Sequence, residues 1–213
     1  MAEVTEQTTV VEVPKQKEQD RKQLLKELVY ERYRGRPIYY RGYREVLQGK
    51  KTVEEVMGSS KLQWFVIQAI LRLLFANLDL SRFVVATNEA GFRTGRRSWR
   101  NLDIAVFDRQ QLLQEGVDEK YVQTPPKVVI EVDTKADLQK YEDLLSYVIE
   151  KVQDLHQAGV ERVVWILTRN RRVVIAEQQE AEWKIVPLDD EIELMEGIQC
   201  NVAALLRQEG VEL

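Results

Sequence analysis

The chain has one cysteine, Cys200, and one histidine, His156. A lone cysteine excludes an intrachain disulfide and a thiolate-rich zinc site, since both need several sulfurs. With a single histidine, imidazole-built metal centres and most histidine-based triads lose their material. No apolar run reaches the roughly 18 residues of a membrane span. The N-terminus also lacks the basic start and apolar block of a secretory signal, so a cytoplasmic location is expected. There is no basic excess either: 31 Lys and Arg stand against 35 Asp and Glu, a net charge of −4. The bulk field therefore does not advertise nucleic acid, and local clustering has to decide. Any metal would be held mainly by oxygen, which points to magnesium, manganese or calcium.

What is present suffices for one good-sized core: the chain has 213 residues, 44% of them hydrophobic. Residues 1–20 lack periodicity and contain Pro14, which reads as a disordered tail. Residues 21–60 form an arm, helical at first, with Leu24, Leu25, Leu28 and Val29 at helical spacing. It continues into a stretch where Tyr30, Tyr33, Tyr39, Tyr40 and Tyr43 alternate with arginines and Glu31 is the only acid. Such a stretch can pair with phosphates and stack on bases, or simply pack its tyrosines on the domain while the arginines face water. Residues 61–213 make up an α/β domain. It opens with a helix over 61–76, apolar almost all the way round apart from Gln63, Gln68 and Arg72, as expected of a helix buried on most sides, by the sheet and by a second copy in a homodimer.

Strand periodicity follows near 82–87, 91–94, 102–107 and 128–133. A long helix is expected over 137–157, capped by Asp137 and ended by Gly159, and a buried strand over 162–167. Strand, helix, strand in that order predicts a crossover between parallel neighbours.

Two strands carry carboxylates among apolar neighbours: Asp103 in Leu102–Phe107 and Glu131 in Val128–Val132. A buried carboxylate is costly unless a cation or hydrogen bonds compensate it. Adjacent strands lie about 4.8 Å apart, close enough for Asp103 and Glu131 to share one ion. Two acids and one Mg²⁺ or Mn²⁺ suit phosphodiester hydrolysis, where the metal acidifies a water and steadies charge on the phosphate. Two lysines compete to assist. Lys135 lies on the same strand face as Glu131, about 13 Å along a straight strand at about 3.3 Å per residue. Lys140 lies in the first turn of the expected helix. Asp133 is either a further metal ligand or an exposed strand-end acid. Arg93, Arg96, Arg97 and Arg100 crowd one segment just before Asp103, where a DNA backbone could lie; the plainer alternative is a solvated hairpin tip.

The train Gly91-Phe92-Arg93, Asp103-Ile104-Ala105-Val106, Pro126 to Val132, Asp137-Leu138 with Lys140 and Tyr141, and Gly159-Val160 before Val163-Val164-Trp165-Ile166 resembles the Uma-type restriction endonuclease family, over about residues 40 to 207. That bacterial family, long known only as a domain of unknown function, belongs to the PD-(D/E)XK nuclease superfamily. The resemblance implies a restriction-endonuclease-like core, a mixed central β-sheet flanked by helices, and a magnesium-dependent site. Asp103 matches the first metal aspartate and Glu131 the second acid. The superfamily lysine normally stands two residues after the second acid, where this chain has Asp133. Either Lys135 supplies it, shifted by two, or Lys140 supplies it from the following helix. Leu102 replaces the usual proline, and the 61–76 helix has glutamines where many members place a further glutamate. The function implied is metal-dependent DNA cleavage; the alternative is a weakened or inactive nuclease fold that binds DNA or a protein partner.

Overall fold

The computed structural model describes residues 15–212. The chain opens with α1 (Lys15–Glu27), β1 (Val29–Tyr33), β2 (Arg36–Tyr39), α2 (Tyr43–Leu47), α3 (Val53–Met57) and α4 (Lys61–Asn77). It continues with β3 (Phe83–Gly95), β4 (Ser98–Asp108), α5 (Arg109–Glu115), β5 (Val128–Val132), α6 (Leu144–Gln157) and β6 (Arg162–Leu167). The end comprises β7 (Arg172–Glu177), β8 (Lys184–Pro187), β9 (Ile192–Met195), β10 (Ile198–Cys200) and α7 (Val202–Gln208).

Strands β1 to β8 form one mixed sheet flanked by helices, and β9 and β10 a separate hairpin. Among the described residues, the strands of the main sheet pair antiparallel except β5 with β6, the parallel pair spanned by α6. Side chains alternate across a strand, so the sheet has two apolar faces. Ile104, Val106, Ile130, Val132 and Val164 lie with α4 and α7; Ala105, Val129, Val163 and Trp165 lie with α6. None of the helices among the described residues is long and apolar enough to cross a membrane.

Strand β4 organises the site. Strand β3 runs along one of its edges from Phe83–Asp108 to Gly95–Ser98, so β5 and β1 must share the other edge. β5 lies beside Ile104–Val106 and β1 beside Trp99. Asp103 falls at the junction. Opposite it β3 bulges at Asn88 and Glu89, both with positive φ, between the pairs Thr87–Ile104 and Ala90–Leu102.

Several expected boundaries differ. Of residues 1–20, the first 14 lie outside the described residues, whereas Lys15 onward is already α1. Val29, placed on a helix by its spacing, starts β1 instead. The Tyr/Arg stretch is a β-hairpin built into the sheet edge, with Tyr30 and Tyr40 buried. The strands expected at 82–87 and 91–94 are one strand interrupted by the bulge. Helix α6 begins at Leu144, not at 137, and its cap is Asp143, which accepts from Ser146 N. Asp137 cannot cap it because its carboxylate takes Arg44 Nη1 at 2.9 Å and its N–H bonds Tyr39 O. The helix 61–76 is less enclosed than its composition suggests: Trp64 is 59% exposed and Phe75 52%.

Candidate active site

Burial of acids next to a strand junction requires compensating groups, and the hydrogen bonds here supply them. Asp103 Oδ2 accepts the Val132 N–H at 2.8 Å. From the first turns of α4, Gln63 Nε2 stands 3.3 Å from both Asp103 oxygens and 3.2 Å from the Val132 carbonyl oxygen. Gln63 is positioned by the helix start, where Ser60 caps α4 by accepting from Gln63 N. Glu131 reaches Lys151 instead: its Oε2 lies 2.9 Å from Lys151 Nζ. Lys151 comes from the buried face of α6 and also meets Glu31 Oε1 at 2.8 Å and the Asn101 carbonyl at 2.8 Å.

Glu31 comes from β1 and is completely buried. Its Oε2 accepts Arg100 Nη1 at 3.0 Å and the Tyr147 hydroxyl at 2.9 Å. Arg100 in turn donates through Nε to Asp154 Oδ2 at 2.7 Å. One continuous buried network thus runs from Glu131 through Lys151, Glu31 and Arg100 to Asp154, with Asp103 beside it.

Its charge does not balance. The buried ionisable groups are Glu31, Asp103, Glu131 and Asp154 against Arg100 and Lys151, so four carboxylates less two cations leave a formal −2. The titration shifts reflect the excess. Burial is the main cause that pushes the Glu131 carboxyl up to about 8, with the charges of Asp103 and Glu31 adding to it and Lys151 opposing. Burial likewise raises Asp103, against the Val132 N–H and Lys151. Burial disfavours the Lys151 ammonium, but Glu131 and Glu31 outweigh that and hold it above its usual value.

Among the described residues Glu131 Oε1 is buried without a hydrogen-bond partner. That atom, the Asp103 carboxylate and the Val132 carbonyl are hard oxygen donors, and the formal −2 matches one divalent cation; the donor set fits Mg²⁺ or Mn²⁺. Among the described residues no three His, Cys, Asp or Glu side chains group around a common point. Two carboxylates, a backbone carbonyl and waters are the available ligands, a set that magnesium commonly accepts.

The other residues singled out by sequence lie elsewhere. Asp133 ends β5 with φ of 54°, and both its oxygens are taken by Thr168, by N–H at 2.9 Å and by Oγ1 at 2.7 Å. Lys135 pairs with Glu89 and donates to the Met57 carbonyl at 3.1 Å. Lys140 is exposed in the loop before α6, beside Arg36 and Tyr141. Thus the lysine that meets Glu131 is Lys151 rather than Lys135 or Lys140. Arg93, Arg96 and Arg97 are exposed around the β3–β4 turn, whereas Arg100 is buried in the network and faces no solvent. His156 bonds the Val160 carbonyl through Nδ1 at 2.9 Å.

Lys151 is not among the residues singled out by sequence, and Glu31 and Gln63 stand out there only as the one acid of the Tyr/Arg stretch and a polar residue of the 61–76 helix. The signal for Lys151 was available: it occupies the buried stripe of α6 with Tyr147, Val148 and Leu155, where a lysine needs a partner.

Comparison with known proteins agrees with this architecture. The model of the Uma2 family, described as "Putative restriction endonuclease", matches residues 45–206. A solved structure, titled as a "putative nuclease belonging to DUF820" from Anabaena variabilis ATCC 29413, superposes with a TM-score of 0.60 at 12% identity. It covers 88% of this chain and 97% of its own, and at that identity it speaks for the fold alone. No curated protein matches the chain in sequence. With the family model covering most of its length, the chain belongs to the Uma2 family.

Proposed function

We propose that the protein is a cytoplasmic endonuclease that hydrolyses DNA phosphodiester bonds with Mg²⁺ or Mn²⁺. Asp103 and Glu131, with the Val132 carbonyl, would hold the metal; when bound, it supplies an acidified water and neutralises charge on the phosphate. Lys151 is kept protonated by two carboxylates, so it serves as a donor that orients the water or stabilises the charged phosphoryl group, not as a base. Glu31 positions Lys151, and Arg100 with Tyr147 positions Glu31. Arg93, Arg96 and Arg97 are the groups that would track phosphates at the hairpin turn.

The observation that carries this reading is the 2.9 Å contact of Lys151 with Glu131 beside Asp103, within a buried cluster of four carboxyl groups and two cationic side chains. A second reading, a nuclease fold that binds DNA or a protein partner without cutting it, draws on the enclosure of the acids: Asp103 is 6% exposed and Glu131 1%. Supercoiled plasmid separates the two. Nicking that needs Mg²⁺ or Mn²⁺ and disappears in Asp103→Asn and Lys151→Met supports the enzyme. DNA retardation without nicking, equal in wild type and both variants, supports the second reading and overturns the first.

A further inference from the structure

Gln63 Nε2 is surrounded by three acceptors, the two Asp103 oxygens at 3.3 Å and the Val132 carbonyl at 3.2 Å. Three oxygens converging on one point require either a donor or a cation there. The amide nitrogen supplies the donor, though loosely, since a well-formed N–H···O bond is about 2.9–3.0 Å. The same oxygens are those the proposed metal would use, so the amide nitrogen and the cation compete for one position.

Gln63 is only 6% exposed, and that exposed part borders solvent-filled space. It lines a cleft of about 820 Å³ together with Arg41, Lys51, Lys135, Thr168 and Arg169. Asp103 and Glu131 do not line that cleft; Gln63 is the residue that touches both the cleft and Asp103. The cleft is also lined by Glu45, Glu55 and Asp133, and within it Gln63 is the side chain hydrogen-bonded to Asp103.

We infer that Gln63 is a cation-responsive ligand of this site: its amide nitrogen holds the cation position, and cation entry from the cleft turns the amide so that Oε1 becomes an additional neutral ligand. The inference rests on the metal reading above. The turn is inexpensive because the terminal torsion of glutamine is broad and roughly two-fold. The amide gives up shared bonds of 3.2–3.3 Å, and its oxygen gains the one partner that tolerates a ring of acceptors.

The test is calorimetric titration of Mn²⁺ and of Mg²⁺ into the full chain, its Gln63→Glu and Gln63→Leu variants, and Asp103→Asn. Gln63→Glu should tighten Mn²⁺ binding and Gln63→Leu should weaken it, each by about tenfold, the scale on which metal-site partners act. Wild-type affinity in Gln63→Leu, with binding lost in Asp103→Asn, overturns the role of Gln63 and leaves the metal reading standing. Binding that is absent from wild type, or unchanged in Asp103→Asn, overturns both. A second readout needs no folded Leu variant. The side-chain amide signal of Gln63 in a ¹H–¹⁵N spectrum, identified by its loss in Gln63→Glu, should shift on adding Mg²⁺, and a signal that stays in place overturns the inference.

Discussion

Lys151 Nζ stands 2.9 Å from Glu131 Oε2, although one residue is on a helix and the other on the strand beneath it. The pair is closed off from water, and the ammonium holds Glu31 as well. Removing it leaves Glu131 without a cation and Glu31 with Arg100 alone. Lys151→Met should therefore abolish nicking and lower unfolding stability by about 3–5 kcal/mol, the usual cost of stranding a buried charge. Adding Glu31→Gln should recover part of that stability but none of the nicking. Lys135→Ala and Lys140→Ala should keep nicking within a few-fold of wild type. Urea unfolding and plasmid assays on the four proteins check this, and loss of nicking in Lys135→Ala with retention in Lys151→Met would reverse the assignment.

Much of this arrangement is legible in the residues and part is not, for physical reasons. Asp103 and Glu131 are visible because each interrupts an apolar strand, and the strand–helix–strand order gives the parallel pair β5–β6. Lys151 gives only an indirect signal, because periodicity counts apolar residues and a lysine in the buried stripe registers as a gap. The start of α6 is misplaced because Leu138 and Tyr141 fit the helical spacing; they pack on the core from a loop whose Asp137 is tied to Arg44. Glu31 sits among tyrosines and arginines, and its partner Arg100 is far along the chain. Each half of that pair looks solvated until the two strands meet.

Asp133 tests how far the acid row on β5 extends. Its carboxylate is spent on Thr168, and its backbone is left-handed, a conformation that Asn tolerates better than Ala. Asp133→Ala should cost about 1–3 kcal/mol, from unmet Thr168 donors and backbone strain. Asp133→Asn should cost less. Neither should change Mn²⁺ affinity, whereas Asp103→Asn should. Thermal melting followed by calorimetric Mn²⁺ titration checks both, and a tenfold loss of affinity in Asp133→Asn would return Asp133 to the metal site.

The arginines near the β3–β4 turn divide by burial. Arg100 is enclosed by Glu31 and Asp154, so Arg100→Met should destabilise the fold by about 3–5 kcal/mol. Arg96 and Arg97 are exposed, and their alanine variants should stay within about 0.5 kcal/mol of wild type. If they contact phosphates, each replacement should weaken DNA binding and reduce the slope of log affinity against log salt by about 1. Gel retardation across a salt series reads the slope. An unchanged slope in Arg96→Ala/Arg97→Ala would move the DNA path away from this turn.

The outer face of α4 bears on assembly. Trp64 and Phe75 are mostly exposed, with Gln68 and the half-buried Leu71 between them on the same stripe. The spacing is palindromic: in an antiparallel pairing of two α4 helices, Trp64 meets Phe75 of the other copy and Gln68 meets its Leu71. An isologous interface demands that reciprocity, since each contact must occur twice about the two-fold axis. Arg72, a charged neighbour of the stripe, is already drawn aside to Glu209. The protein should therefore sediment as a dimer at micromolar concentration. Because one substitution strikes the interface twice, Trp64→Glu alone should give a monomer with unchanged metal binding. A wild type that stays monomeric at high concentration would leave this stripe for a different partner.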